Sequence, residues 1–96
     1  MYIYNTTFVI EQADYEGWLA WYREQYVAAV KAIEDVEVRT FSVEDMPNQQ
    51  PGDRTVSCQC ICANPTALGR VRLLTKKLVG AVRYLSFSSM MKEVEL

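Results

Sequence analysis

A chain of 96 residues, 50% hydrophobic and 23% charged, holds one globular domain and excludes an intrinsically disordered one. The formal net charge is −2 and histidine is absent, which excludes imidazole bases, Ser–His and Cys–His dyads and His-ligated haem. No apolar run approaches the ~20 residues of a membrane span, and Met1–Asn5 carries no basic stretch or cleavage site, so a cytoplasmic protein with reduced thiols is expected.

In chain order, Met1–Ile10 alternates and is rich in β-branched and aromatic residues, so it reads as a strand. Tyr4, Thr6, Phe8 and Ile10 share one face, the bulkier and therefore the core candidate; Ile3, Asn5, Thr7 and Val9 share the other. Asp14 is placed to cap a helix running to about Ile33. Tyr15, Trp18, Leu19, Tyr22, Tyr26, Ala29, Val30 and Ile33 form its apolar stripe, with Trp21 at the stripe's edge. Val36–Glu44 reads as a second strand and Thr55–Ala63 as a third, joined by a loop rich in proline, glycine and amides. Asn64-Pro65 pairs an N-cap residue with proline at the first helical position. The helix that follows carries Ala67, Val71, Leu74, Leu78 and Val82 on its apolar side, leaves Leu73 for solvent or a partner, and meets a terminator in Gly80. Tyr84–Val94 reads as a last strand, although Met90-Met91 blurs its alternation.

Strand–helix–strand–strand–helix–strand is the order of a ferredoxin-like βαββαβ domain: α+β, with a four-stranded antiparallel sheet and both helices on one face. That topology makes the first and third strands the central pair and leaves the second sheet face uncovered.

Several segments add a family likeness. Met1-Tyr-Ile-Tyr-Asn-Thr-Thr7, Trp18-Leu-Ala-Trp-Tyr-Arg-Glu24, Thr55-Val-Ser-Cys-Gln59 and Phe87-Ser-Ser-Met-Met91 with Val94 together resemble an uncharacterised bacterial family of about this length, a domain of unknown function. The opening Ile-Tyr-Asn and the Trp-Leu-x-Trp pair carry most of the likeness. The resemblance implies a ferredoxin-like protomer that pairs into a dimeric α/β barrel, and it implies no activity and no catalytic residues. The chain departs from the pattern at two places: Gln25-Tyr-Val27 stands where such relatives tend to have His-Ile-Pro, and Phe87-Ser-Ser89 where they tend to have Phe-Arg-Thr.

Three cysteines at alternate positions raise the question of metal or redox chemistry. In an extended strand Cys58, Cys60 and Cys62 share a face with α-carbons ~6.6 Å apart, whereas thiolates on one zinc lie within about 3.8 Å of each other. No histidine, fourth cysteine or nearby carboxylate completes a ligand set, and a disulfide across one residue would be strained. We therefore read the thiols as small buried hydrophobes beside Val56, facing the helices, with no metal and no cofactor. No glycine loop suited to phosphate is present, and Glu34, Asp35 and Glu37 at a helix–strand junction read as a solvated cluster.

Two sets of residues remain as candidates for function. Ile3, Asn5, Thr7, Ser57, Gln59 and Ile61 fall on the uncovered face of the central strands, with Trp21 as a further interface anchor. A second subunit's sheet is the expected cover and a homodimer the expected assembly; a small ligand held between the sheets by Asn5 and Gln59 is the sharper alternative. The second set comes from charge. Residues 1–53 hold ten acidic and three basic residues, whereas residues 54–96 hold seven basic and two acidic ones. Arg70, Arg72, Lys76 and Lys77, with Arg83 beyond them, could bind an anion, but no nucleic-acid motif accompanies them and mutual neutralisation of the two halves is the plainer reading. Overall the residues favour a non-enzymatic binding or structural domain. The alternative is a cofactor-free enzyme on a small apolar substrate, with tyrosine or cysteine as its only acid/base groups.

Overall fold

The computed structural model describes residues 1–96. Strand β1 (Tyr2–Ile10) leads through a short turn of 3₁₀ helix (Gln12–Asp14) into helix α1. That helix is continuous but not uniform: an α-helical segment Tyr15–Trp21, a π-helical segment Tyr22–Val27 and a final α-helical turn Ala28–Lys31. Then follow β2 (Val36–Ser42), β3 (Arg54–Cys62), helix α2 (Pro65–Gly80) and β4 (Leu85–Lys92). The strands form one sheet in the order β2-β3-β1-β4 with every neighbour antiparallel, so the expected ferredoxin-like topology is present and β1 and β3 are its centre.

Alternation in β1 and β3 decides where the core lies. Tyr4, Thr6, Phe8 and Ile10 are buried on the helix side, as are Val56, Cys58, Cys60 and Cys62, while Ile3, Asn5, Thr7, Val9, Ser57, Gln59 and Ile61 between them are only half-buried. The helices cover this side with Trp18, Tyr22, Tyr26 and Val30 from α1 and Ala67, Leu68, Val71 and Thr75 from α2. Phe8 sits at the hub: the rings of Trp18, Trp21, Tyr22 and Tyr26 all approach it, with centroids 5.4–6.2 Å away and tilted or edge-on, the arrangements that ring quadrupoles favour. Leu73 is 72% exposed, as its place off the α2 stripe required.

Trp21 departs from expectation. A regular 3.6-residue wheel puts it at the stripe's edge and invites an interface role. In the structure it is half-buried on the helix side, stacked on Tyr26 with ring centroids 5.9 Å apart and touching Tyr84 at 5.8 Å. The π-helical turn is the reason. Hydrogen bonding from i to i+5 widens the turn and brings residues five apart onto one side, so both Trp21 and Tyr22 face inward.

The helix ends also differ. Asp14 precedes α1 but its side chain caps nothing: it is the last residue of the 3₁₀ turn and already has a helical backbone conformation, not the extended one of a capping residue. Asn64 caps α2 as its position suggested: its Oδ1 accepts from the Ala67 N–H at 2.9 Å, and Pro65 follows at the first helical position. Gly80 is the last helical residue, and Ala81 closes the helix with an ordinary right-handed conformation, so no left-handed glycine cap is used.

The β2–β3 connection folds back on the sheet. Thr55 Oγ1 donates to Gln49 Oε1 at 2.7 Å, and the Gln12 N–H donates to Asp53 Oδ1 at 3.1 Å. Gly52 sits in this connection at φ +86°, in the left-handed region, with the Gln12 side chain lying where a Cβ would project. Its conformation and that contact both favour glycine.

Candidate functional site: the uncovered sheet face

Because both helices lie on one side, the molecule is a two-layer slab only 17 Å thick, and the second face of the sheet is bare except at Thr55, which the β2–β3 connection covers. The strand register places its side chains in rows that cross all four strands. The middle row reads Arg39, Gln59, Asn5, Ser89; the next reads Phe41, Ser57, Thr7, Phe87; the row on the other side reads Glu37, Ile61, Ile3, Met91. Ile3, Asn5, Thr7, Ser57, Gln59 and Ile61 are thus brought together as adjoining pairs on the two central strands. Trp21 is not with them, since it lies beyond the sheet on the helix side.

The centre of this face is a small network of neutral polar groups. Ser57 Oγ donates to Asn5 Oδ1 at 2.6 Å, and Asn5 Nδ2 donates to Thr7 Oγ1 at 3.2 Å. The Gln59 amide, directly across from Asn5, makes no hydrogen bond within the protein and is free to meet another molecule. At the β2 edge Arg39 and Glu37 pair at 3.1 Å, both more than half exposed, a contact that adds little stability on its own. The chemistry available is therefore orientation by amides and hydroxyls. No acid or base lies among the six central residues.

Apolar residues on the edge strands frame that centre. Leu85, Phe87, Phe41 and Met91 are 63%, 57%, 46% and 42% exposed, and all four project on this side. Phe41 sits in β2 as expected, but the β4 contribution escaped the pattern because Met90-Met91 obscures which residues alternate outward. Pairing Thr7 with Phe87 settles it.

The three thiols lie beneath, on the helix side, each 0% exposed and free. Cys58 Sγ and Cys60 Sγ are 4.0 Å apart, and the Tyr26 hydroxyl lies 3.8 Å from Cys60 Sγ and 2.8 Å from Thr75 Oγ1. Tyr22 closes the group by hydrogen bonding to Thr40 at 2.6 Å. The hydrogen bond from Cys60 holds the Cys58 thiol below its ordinary value against the effect of burial, whereas that bond and burial push Cys60 up. Burial pushes Cys62 up, and burial followed by the nearby thiols pushes both tyrosines up. This is a packed polar seam within the core, closed to solvent.

The basic residues divide. Arg72 and Lys76 line a groove between α2 and β4, whereas Arg70 and Lys77 lie on the exposed surface of α2 outside that lining.

Fold and face together define a ferredoxin-like α+β protein with one bare sheet surface. Residues 1–71 match the family model described as a domain of unknown function, DUF4286, and the chain belongs to that family. The match spans the first three strands, α1 and the start of α2, so Phe87–Met91 lies outside the matched residues. Among solved structures, an ethyl tert-butyl ether D (EthD) family protein from Bacillus halodurans C-125 aligns over 98% of this chain and 100% of its own, with 10% identity and a TM-score of 0.61. That likeness is one of fold. A nitrogen regulatory PII-like protein from Thiomonas intermedia K12, bound to ADP, AMP and bicarbonate, aligns over 100% of this chain and 97% of its own with 8% identity and a TM-score of 0.36. No curated protein matches the sequence. No helix is long and apolar enough to cross a membrane.

Proposed function

We propose that the protein is a non-enzymatic homodimeric binding domain whose protomers meet through their uncovered sheet faces, forming a dimeric α/β barrel. The observation that carries this reading is the concentration of exposed Leu85, Phe87, Phe41 and Met91 around a neutral polar centre. Apolar patches of that kind are costly to leave in water. Size supports the same partner. Four strands spaced ~4.8 Å apart and about nine residues long at ~3.3 Å give a face of roughly 550 Å² in projection. Side-chain relief raises the area removed from water towards the ~800 Å² per partner of a stable interface. A second copy is apolar where this face is apolar and neutral where it is neutral. Three free buried thiols suit a reducing cytoplasm.

Light scattering tests the assembly. The wild-type protein is expected at twice the protomer mass and Gln59→Lys at the protomer mass, with circular dichroism unchanged. A Gln59→Lys protein that stays dimeric would remove the face-to-face arrangement. The unpartnered Gln59 amide favours a second reading, in which a small, largely apolar ligand lies between the two sheets and is oriented by Gln59 and Asn5. Native mass spectrometry separates the two readings: a dimer at its bare mass supports the plain interface, and a reproducible adduct lost in Gln59→Ala supports the ligand.

A further inference from the structure

Between α2 and β4, on the helix side of the sheet, lies a groove of about 540 Å³. Its strand wall is Ser86–Met90, five consecutive residues. Side chains of a strand alternate between faces, so an unbroken run of lining residues means that β4 presents its main-chain edge to the groove. That edge is unpaired, because β4 is the last strand of the sheet and bonds only to β1. It is also poorly defended: an exposed edge is ordinarily blunted by proline, bulges or charges, yet Leu85–Lys92 carries Lys92 as its one charge and no proline.

The helix wall supplies Arg72 and Lys76, both exposed and one helical turn apart. Neither has a carboxylate partner; the only ion pair in the structure joins Arg39 and Glu37. Nor can a local acid neutralise them through the sequence, since none occurs between Asp53 and Glu93. Ser86 and Ser88 are too short to fill the space between strand and helix. The groove therefore combines a row of open backbone groups with two unneutralised cations that spring from positions one helical turn apart.

Spacing selects the occupant. Four residues along an α-helix advance about 6.0 Å, and alternate residues along a strand advance about 6.6 Å. An extended chain laid along β4 would turn every second side chain towards α2, with a repeat that matches the Arg72–Lys76 interval. We propose that the β4 edge is a strand-addition site for an acidic peptide with Asp or Glu at alternate positions. Its main chain pairs with Ser86–Met90, and its carboxylates meet Arg72 and Lys76. Another copy's β4 does not fit this role. It brings no acid to the helix side, and antiparallel pairing of two such edges sets one pair of basic residues beside the other. The proposal rests on a sheet-face dimer that stacks the two sheets without pairing β4 to a partner strand, so that this edge stays open.

Fluorescence anisotropy tests it with a fluorescein-labelled Val-Glu-Val-Glu-Val-Glu-Val peptide, titrated with the intact protein in whatever assembly it adopts. Saturable binding is expected, weakened at least tenfold in Arg72→Glu/Lys76→Glu. Both sites are exposed, and circular dichroism verifies that the variant folds. Peptides N-methylated on one or the other alternate set of amides supply the decisive control. One set should abolish binding and the other leave it unchanged, since only one row of amides faces β4. Equal binding of both methylated peptides, or of an isomer with its glutamates contiguous, would show a charge-only surface for any polyanion and overturn strand addition. Absence of binding by the unmodified peptide would overturn it as well.

Discussion

Thr7 and Phe8 are neighbours in β1, yet Phe8 is enclosed by four aromatic rings while Thr7 lies beside Ser57 on a surface open to water. The same contrast runs down β3, where Cys58, Cys60 and Cys62 are sealed and Ser57, Gln59 and Ile61 are not. One face of the sheet holds the protomer together, and the other is available for something else. Small side chains on the inner face make room for the large aromatic residues of α1: Cys58 and Thr40 lie against Tyr22, and Cys60 against Tyr26. The outer face has no such counterpart and ends in exposed rings on both edge strands. Residues that stabilise the fold and residues left uncovered on the second face are thus separated by the pleat alone.

The contrast breaks most sharply at its hub. Phe8→Ala removes the ring that four others contact and should cost about 3–5 kcal/mol, which for so small a domain approaches its whole stability; urea denaturation measures it. A loss below about 1 kcal/mol would show that the aromatic cluster is not the core of the protomer.

Alkaline pH probes the same face. Burial raises the Tyr22 and Tyr26 hydroxyls above their ordinary value of 10.0, so the unfolded chain gives up these protons more readily than the folded one. The stability they contribute is complete below pH 10 and is lost as pH rises further, with a limiting slope of about 1.4 kcal/mol per pH unit for each tyrosine. Urea midpoints between pH 8 and pH 11 should fall in the wild type and fall less steeply above pH 10 in Tyr22→Phe/Tyr26→Phe, where the raised Cys60 and Cys62 thiols still contribute. A flat wild-type profile would mean that water reaches these hydroxyls.

Thiol labelling sharpens the contrast without any substitution. Cys58, Cys60 and Cys62 should react with a thiol reagent only as fast as the protein opens, and quickly in denaturant. Rapid reaction of the native protein would place at least one of them on an accessible surface. The smallest effect on the fold is expected from the outer face. Phe87→Glu should leave protomer stability within about 0.5 kcal/mol while converting the proposed dimer to monomer in light scattering. If it unfolds the protein instead, the outer face is part of the core and the division between the faces fails.

Much of this was legible in the residues. Alternation in Met1–Ile10 and Thr55–Ala63 separated the two faces, because the two-residue period of a strand is set by backbone geometry and needs no tertiary information. Asn64-Pro65 marked the start of α2 for an equally local reason, a side-chain acceptor for an unpaired N–H beside a residue that lacks one. The likeness to a domain of unknown function rested on short motifs, and the family match over residues 1–71 agrees with it. Trp21 was not legible in this way, because a π-helical turn changes the angular step between residues from that of a regular helix.

The sequence by itself determined the order of elements, the inward set on the central strands and the lack of imidazole chemistry, all of which follow from local periodicity and residue type. Tertiary structure alone decided three further things. It turned Trp21 into the core, it selected Phe87 and Met91 rather than Ser88 and Met90 for the outer face, and it left Arg72 and Lys76 facing an unpaired strand edge. Trp21 depends on the π-helical turn of α1; the other two depend on which strand pairs with which, and at what register, and these are set by contacts between residues far apart in the chain.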